Sequence, residues 1–211
     1  MGWEVLIPTV VVLSASGVLS PGPLTIVSIS SGARYGKLAG VLVSTGHMLV
    51  EFPLVIAIAA GLTSVLQDKW AQTVIGGLGG AAVIGFGLVG IAQSLRGKDV
   101  GNPGMGAVRI KGGPLIAGLL FTGLNPFFIT WWMTVGMALI ADALALASVA
   151  GVFIMYASHI WMDFAWLTFL SVASDRALGL LGSKAIKYTE LALSSVLLGM
   201  GVYLLFRVIQ L

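Results

Sequence analysis

Long apolar stretches separated by short polar ones run through the whole chain. A helix that spans a membrane needs about 20 predominantly apolar residues. The pattern predicts six such helices, numbered here as spans 1 to 6, at about residues 5–31, 38–62, 70–95, 114–140, 143–172 and 188–208. We therefore expect an all-α integral membrane protein, folded as a single transmembrane domain over residues 1–211 and embedded in a lipid bilayer.

The composition agrees with this expectation. Hydrophobic residues make up 58% of the chain and charged residues 9%, and the mean hydropathy is +1.04, whereas soluble domains carry about 25% charged residues. The chain has no cysteine, which excludes disulfides and thiolate metal ligands. It also lacks a His-Glu-x-x-His motif, and no Ser-His-acid order stands out. We therefore expect a protein that is not an enzyme and needs no cofactor.

The positive charges of the chain are unevenly placed. Of the eleven lysines and arginines, nine fall in the predicted loops between spans 1 and 2, 3 and 4, and 5 and 6. Loops rich in lysine and arginine stay on the cytoplasmic side of a membrane. We therefore predict a multi-pass protein of the cytoplasmic (inner) membrane with both termini outside. The net charge of +3 is explained by this topology, so we expect no nucleic-acid partner.

The chain divides into two similar halves with three spans each. Because an odd number of crossings reverses direction, the second half is inverted relative to the first. Inverted repeats are common in transporters, with the substrate site near the midplane at the repeat interface. The predicted division is repeat 1 at about 1–96, a glycine-rich linker at 97–113 and repeat 2 at about 114–211. Glycines in span 3 permit close helix packing within the chain or in a possible homodimer.

The first span of each half carries a proline motif. Span 1 contains Ser20-Pro21-Gly22-Pro23, and span 4 contains Asn125-Pro126. Proline removes a backbone donor and clashes with the preceding turn, so we predict that spans 1 and 4 are each broken into two half-helices. Freed backbone groups are tolerated in a membrane only where they line a cavity or are buried in protein. The start of a half-helix also favours an anion. The candidate backbone elements are Pro21, Gly22, Pro23, Asn125 and Pro126.

The only two histidines of the chain lie in matching positions of spans 2 and 5. They belong to the motifs Gly46-His47-x-x-x-Glu51-Phe52 and Ser158-His159-x-x-x-Asp163-Phe164. A spacing of four places each histidine and its carboxylate on one helix face. A charged side chain at the bilayer centre costs about 2.5–3.5 kcal/mol on insertion scales and usually marks function. We predict that His47, Glu51, His159 and Asp163 form one midplane site for substrate and protons.

Several ligands fit such a site. A zwitterion such as an amino acid would place its ammonium at Glu51 or Asp163 and its carboxylate at a half-helix start. A divalent metal would find two imidazoles and two carboxylates, a donor set that zinc accepts. Protons alone would make the cluster a relay. A purely structural alternative is that each histidine only bonds its own carboxylate one turn away. The further candidate cavity contacts are Thr25, Thr45, Thr130 and Tyr156.

The proline motifs, together with Gly36-x-x-x-Gly40 at the start of span 2, resemble the lysine-exporter (LysE/RhtB) transporter superfamily. The resemblance covers nearly the whole chain, and Asp163 matches the acidic residue that family members typically carry in span 5. It implies an efflux carrier driven by proton or ion gradients, often for amino acids or similar solutes. The wider superfamily also includes cadmium, nickel and manganese transporters. The paired intramembrane histidines are a departure from the amino-acid exporters best known in the family, and with them the chain resembles a variant branch.

These expectations combine into one hypothesis and one alternative. The hypothesis is a secondary active transporter that exports a small amine-bearing solute, such as an amino acid, and couples export to the proton gradient. The alternative is a divalent metal cation exporter that uses a site of two histidines and two carboxylates, with His47, Glu51, His159 and Asp163 as the metal ligands.

Overall fold

The computed structural model describes residues 2–20, 22–61, 69–96, 112–180 and 183–209, and these residues form helices and short turns without a strand. The predicted all-α class is confirmed. The elements are α1 (Trp3–Val18), α2 (Pro23–Tyr35), α3 (Ala39–Ala59), α4 (Lys69–Arg96), α5 (Gly113–Gly123), α6 (Pro126–Trp131), a π-helical turn (Trp132–Gly136), α7 (Met137–Leu180) and α8 (Ser183–Ile209). Pro21 and nearly all of the predicted linker lie outside the described residues.

Both predicted helix breaks are present. Span 1 consists of α1 and α2, which meet at an angle of 73°. Span 4 is interrupted at Leu124 and Asn125, between α5 and α6. Pro23 and Pro126 each occupy the start of a half-helix, where the missing N–H costs nothing because the first helical turn has no intrahelical acceptor for it. The Asn125 side chain accepts a hydrogen bond from Phe127 N at 3.1 Å and so caps α6.

Length and hydropathy identify the clearest membrane-crossing segments among the described residues. Two helices are long and apolar enough to cross, Ala39–Ala59 and Pro126–Ala177, and the bent pair of α1 and α2 makes a third if it counts as one span. Shorter apolar helices lie where spans 3, 4 and 6 were expected, at Gly76–Ala92, Gly113–Gly123 and Leu191–Tyr203.

The turn between spans 4 and 5 lies later in the chain than expected. The sequence pattern predicts this turn at residues 141–142, which include the charged residue Asp142. In the structure, Asp142 is an exposed residue within α7, and the helix breaks at Ala147 and Ser148. Ser148 has a φ of 51°, the left-handed region. The two residues at the break, Ala147 and Ser148, are neither glycine nor proline, and apolar residues flank them on both sides, so the sequence carries no strong turn signal there.

The helices pack in the arrangement that an inverted repeat requires. α3 runs antiparallel to α7, because His47 lies beside Asp163 while Phe52, further along α3, meets Phe153, earlier in α7. α1 and α2 together run parallel to α7, and α5 runs parallel to α3. Span 1 therefore packs against span 5 as span 4 packs against span 2.

Glycines allow these close approaches. A Cβ built on Gly40 of α3 would lie 2.5 Å from Thr168 Cα of α7, and one built on Gly87 of α4 would lie 2.7 Å from Leu198 N of α8. The glycines of span 3 thus include one that packs within the chain. Gly77 and Gly85 meet nothing within 4 Å. The homodimer stays a prediction.

Two apolar clusters enclose the polar middle of the bundle. Along α3, the first ionisable pair lies between Val43, in one cluster, and Val55, in the other. Along α7, the second pair lies between Met155 and Leu167, which again belong to different clusters. The two histidine motifs therefore occupy the same narrow layer of the bundle.

Candidate functional site

All four ionisable residues predicted from the two motifs meet in one place. His47 Nε2 lies 3.1 Å from Glu51 Oε1 and 3.6 Å from Asp163 Oδ1. His159 Nε2 lies 3.1 Å from Glu51 Oε1 and 3.3 Å from Asp163 Oδ2. Each of the four residues is at most 5% exposed. α3 and α7 each contribute one pair, so both halves of the chain build the cluster.

The hydrogen bonds within the cluster cross between the halves. His47 bonds Glu51, its own partner one turn away, but His159 bonds the same Glu51 rather than Asp163. The simple structural alternative, in which each histidine bonds its own carboxylate, therefore describes only one of the two motifs. The cluster joins α3 to α7 directly.

Glu51 is surrounded by hydrogen-bond donors. Its Oε1 accepts from Trp132 Nε1 at 3.0 Å in addition to the two histidine contacts, and its Oε2 accepts from the Tyr156 hydroxyl at 3.2 Å. Glu51 therefore has hydrogen-bond partners at both of its carboxylate oxygens. Hydrogen bonds to an ionised acceptor are stronger than neutral ones.

Asp163 has a different environment. It faces both histidine rings at 3.3–3.6 Å, but neither ring hydrogen-bonds to it. Its Oδ2 is buried and has no hydrogen-bond partner among the residues that the structure describes. Buried polar atoms are nearly always paired, so an unpaired one calls for an explanation such as a bound ligand or a transferable proton.

Two hydroxyl groups hold the far side of the histidine rings. His47 Nδ1 lies 2.9 Å from Thr122 Oγ1, and the Thr122 hydroxyl itself donates to Gly118 O at 2.7 Å. Thr122 Oγ1 is therefore in position to accept a hydrogen bond from His47 Nδ1. His159 Nδ1 lies 2.7 Å from Ser14 Oγ. Ser14 belongs to span 1 and Thr122 to span 4, so the two supports occupy corresponding spans.

A cavity of about 590 Å³ opens beside the cluster, and all four ionisable residues line it. This volume is in the ordinary range for small-molecule sites. Both helix breaks contribute to its wall, through Gly22 and Pro23 of span 1 and Asn125 of span 4, whereas Pro126 is not among the lining residues.

The four additional contacts predicted from the sequence do not all reach the site. Thr25 and Thr130 line the cavity, and Tyr156 reaches the site through Glu51. Thr45 does not line it and instead bonds Val41 O, one turn back in its own helix.

A family model for LysE type translocators matches residues 15–207. The chain belongs to the LysE type translocator family. Membership supports an exporter of amino acids or similar solutes, in a multi-pass membrane protein with a small-molecule substrate. A search of curated proteins found no match, and a search of solved structures found none either.

This LysE type translocator also contains a group of side chains suited to a metal ion. One ligand atom each from His47, Glu51 and Asp163 lie within 4.8 Å of one another. His159 falls outside that group, so the arrangement offers three of the four ligands expected from the sequence. Imidazole nitrogen and carboxylate oxygen are both zinc ligands, and three protein ligands leave one position open.

Three site residues of the translocator were missed at the sequence level. Trp132, Ser14 and Thr122 all contact the cluster. Trp132 is one of six tryptophans in an apolar chain, and serine and threonine are common in packed membrane helices. The one available signal was the distance of Thr122 from the break of span 4, three residues before Asn125.

Proposed function

We propose that this LysE type translocator exports a small amine-bearing solute, such as an amino acid, across the cytoplasmic membrane in exchange for protons. The observation that carries the proposal is the unequal environment of two neighbouring carboxylates on one cavity wall. Glu51 has four hydrogen-bond donors, whereas Asp163 Oδ2 has no hydrogen-bond partner among the described residues. Asp163 is therefore the group that is available to a cation.

Exchange follows from the competition for Asp163. The carboxylate of Asp163 holds either a proton or the ammonium group of a substrate, because both need the same oxygen atoms. A substrate that arrives from the cytoplasm displaces the proton. A proton that arrives from outside displaces the substrate. Glu51 remains ionised throughout and compensates the two histidines, so one proton enters for each substrate that leaves.

The break in span 1 supports binding of a substrate carboxylate. α2 begins at the cavity wall, and its N-cap residue Gly22 provides no side-chain cap. The first N–H groups of a helix and its dipole attract an anion. An amino acid can therefore place its ammonium at Asp163 and its carboxylate toward the start of α2.

Transport by reconstituted protein tests the proposal. Purified protein in liposomes is given an inward or outward pH gradient, and the uptake of radiolabelled amino acids is measured together with internal pH. We expect accumulation driven by the gradient, abolished by a protonophore, and a change of internal pH when substrate is added without a gradient. Transport that ignores the gradient would remove proton coupling from the proposal.

Divalent metal export is the second candidate, and the group of His47, Glu51 and Asp163 favours it. The metal would be the substrate, held by one imidazole and two carboxylates. Calorimetry with zinc, manganese and cobalt separates the candidates. Micromolar binding that is lost in His47→Ala would support metal export. Absence of heat with all three metals, in protein that transports amino acids, would exclude it.

The uneven distribution of lysine and arginine supports the proposed orientation. Arg34 and Lys37 lie at the end of span 1 and the start of span 2, on the side that we assign to the cytoplasm. Both termini are then outside. No enzymatic step is proposed, because transport by competition for Asp163 needs none.

A further inference from the structure

Five aromatic side chains of the described residues line the cavity beside the four ionisable residues. They are Phe127, Phe128, Trp131, Trp132 and Tyr203. Aromatic rings also cover the two histidines. Phe128 meets the His47 ring edge-on with centroids 5.4 Å apart, and Trp131 stacks on the His159 ring with centroids 5.7 Å apart.

The three threonine hydroxyls of the cavity wall are engaged in hydrogen bonds. Thr25 donates to Ser20 O, Thr130 to Pro126 O, and Thr134 to Thr130 O. Each of these bonds returns to the backbone of the same stretch of chain. These three hydroxyls are therefore not free to donate to a ligand in the cavity.

The charges of the cavity are confined to the cluster. Among the described lining residues, the acids are Glu51 and Asp163 alone. Glu51 is occupied by its four donors, so one carboxylate is left for a substrate cation. A substrate with a second ammonium group would bury it against aromatic rings without a counter-ion, which is strongly unfavourable.

We infer that the preferred substrate is a primary amine with a single positive charge and an apolar, preferably aromatic, body, such as an aromatic amino acid. This inference rests on the proposed function and specifies its substrate class. The ammonium binds at Asp163, and the body packs against Trp131, Phe128 and the ring pair of Phe127 and Tyr203, which stack with centroids 5.9 Å apart. Basic amino acids are excluded because they carry a second charge.

Competition in proteoliposomes tests the substrate class. Unlabelled L-phenylalanine, 2-phenylethylamine, L-alanine and L-lysine compete for uptake of labelled L-phenylalanine under a pH gradient. We expect half-inhibition by phenylalanine at a concentration about tenfold or more below those of alanine and lysine, since burial of an aromatic side chain is worth at least one factor of ten. The phenylethylamine arm shows whether the substrate carboxylate contributes to binding.

A pair of tryptophan variants localises the effect. Trp131→Leu removes the ring at the cavity wall, whereas Trp161→Leu alters a tryptophan that is 54% exposed and does not line the cavity. We expect the phenylalanine preference over alanine to collapse in the first variant and to persist in the second. Trp131→Phe should retain most of the preference, and it replaces the leucine variant if that variant does not fold.

The outcomes separate this inference from the proposed function. Proton-driven transport of lysine or alanine that equals or exceeds transport of phenylalanine would overturn the aromatic substrate class and leave the exporter intact. Unchanged preference in Trp131→Leu would also overturn it. Absence of proton-driven transport for all four compounds would overturn the proposed function together with the inference.

Discussion

The two carboxylates of the cluster occupy equivalent places in the two halves of the chain, yet their surroundings differ. Glu51 in span 2 accepts from both histidines, Trp132 and Tyr156. Asp163 in span 5 leaves Oδ2 without a hydrogen-bond partner among the described residues. Matching positions of the two motifs therefore have unequal hydrogen-bond environments within one shared site.

The variant Asp163→Asn should have the largest effect on transport. Asparagine cannot exchange a proton or neutralise an ammonium, so we expect substrate-coupled proton flux in proteoliposomes to fall to background. The fold should be destabilised less than in Glu51→Gln, because Asp163 lies 3.3–3.6 Å from the two histidine rings but hydrogen-bonds to neither. The melting temperature in detergent checks this second point.

A control is available in α7 on the other side of its break. Asp142 is exposed and does not line the cavity, so Asp142→Asn should transport like the unaltered protein. If Asp163→Asn and Asp142→Asn transport equally, whether both are active or both inactive, the proposed role of Asp163 is wrong.

Glu51→Gln should instead act mainly on stability. The amide nitrogen of glutamine would face donors from Trp132, Tyr156 and the histidines, and the histidines would lose their compensating charge. Removing one partner of a buried ion pair typically costs about 3–5 kcal/mol. We expect that loss in the free energy of unfolding, measured by denaturation in detergent. A variant as stable as Asp163→Asn would mean that the two carboxylates are equivalent after all.

Gly40→Ala tests the contact that brings the two halves together. A Cβ on Gly40 would meet the backbone of Thr168, which cannot move aside as a side chain can. Overpacking of this kind costs about 1–3 kcal/mol, and we expect a lower melting temperature together with weaker transport. Gly77→Ala is the control, since nothing lies within 4 Å of its Cβ position. Alanine favours a helix more than glycine does, so equal losses in both variants would contradict the role of the approach of α3 to α7.

The smallest expected effect concerns the hydroxyl supports of the histidines. Thr122→Val leaves His47 Nδ1 without its partner, and an unsatisfied buried donor costs about 1–3 kcal/mol. Ser14→Ala should act similarly on His159. Thr45→Val, which alters a hydroxyl outside the cavity, should change the free energy of unfolding by less than about 0.5 kcal/mol. Differential scanning fluorimetry of the three variants measures these shifts, and a Thr122→Val variant as stable as Thr45→Val would exclude a supporting role.

The sequence predicted which ionisable residues form the site, but it did not predict which of them hydrogen-bond to one another. The cost of placing ionisable groups in a membrane singled out His47, Glu51, His159 and Asp163, and the structure brings all four together. The i, i+4 spacing, however, pointed each histidine to its own carboxylate. That spacing describes one helix, whereas the bond from His159 to Glu51 depends on how α7 crosses α3.

The helix breaks show the same difference between features set by local sequence and features set by tertiary packing. Proline chemistry is local, so both breaks were predictable from the sequence. The break at Ser148 was not, because no local signal marks it and tertiary packing selects its position. The roles of Trp132 and Thr122 depend on the same long-range packing. Local sequence rules therefore predicted the helix breaks at prolines. The side-chain contacts between helices were visible only in the three-dimensional structure.

The π-helical turn at Trp132–Gly136 determines the direction of the Trp132 indole around the helix axis. A π-turn accommodates one residue more than the same length of regular α-helix. Deletion of a single residue there would restore regular winding and rotate the Trp132 indole about 100° around the axis, away from Glu51. The one extra residue of this turn therefore determines that the Trp132 indole donates to Glu51.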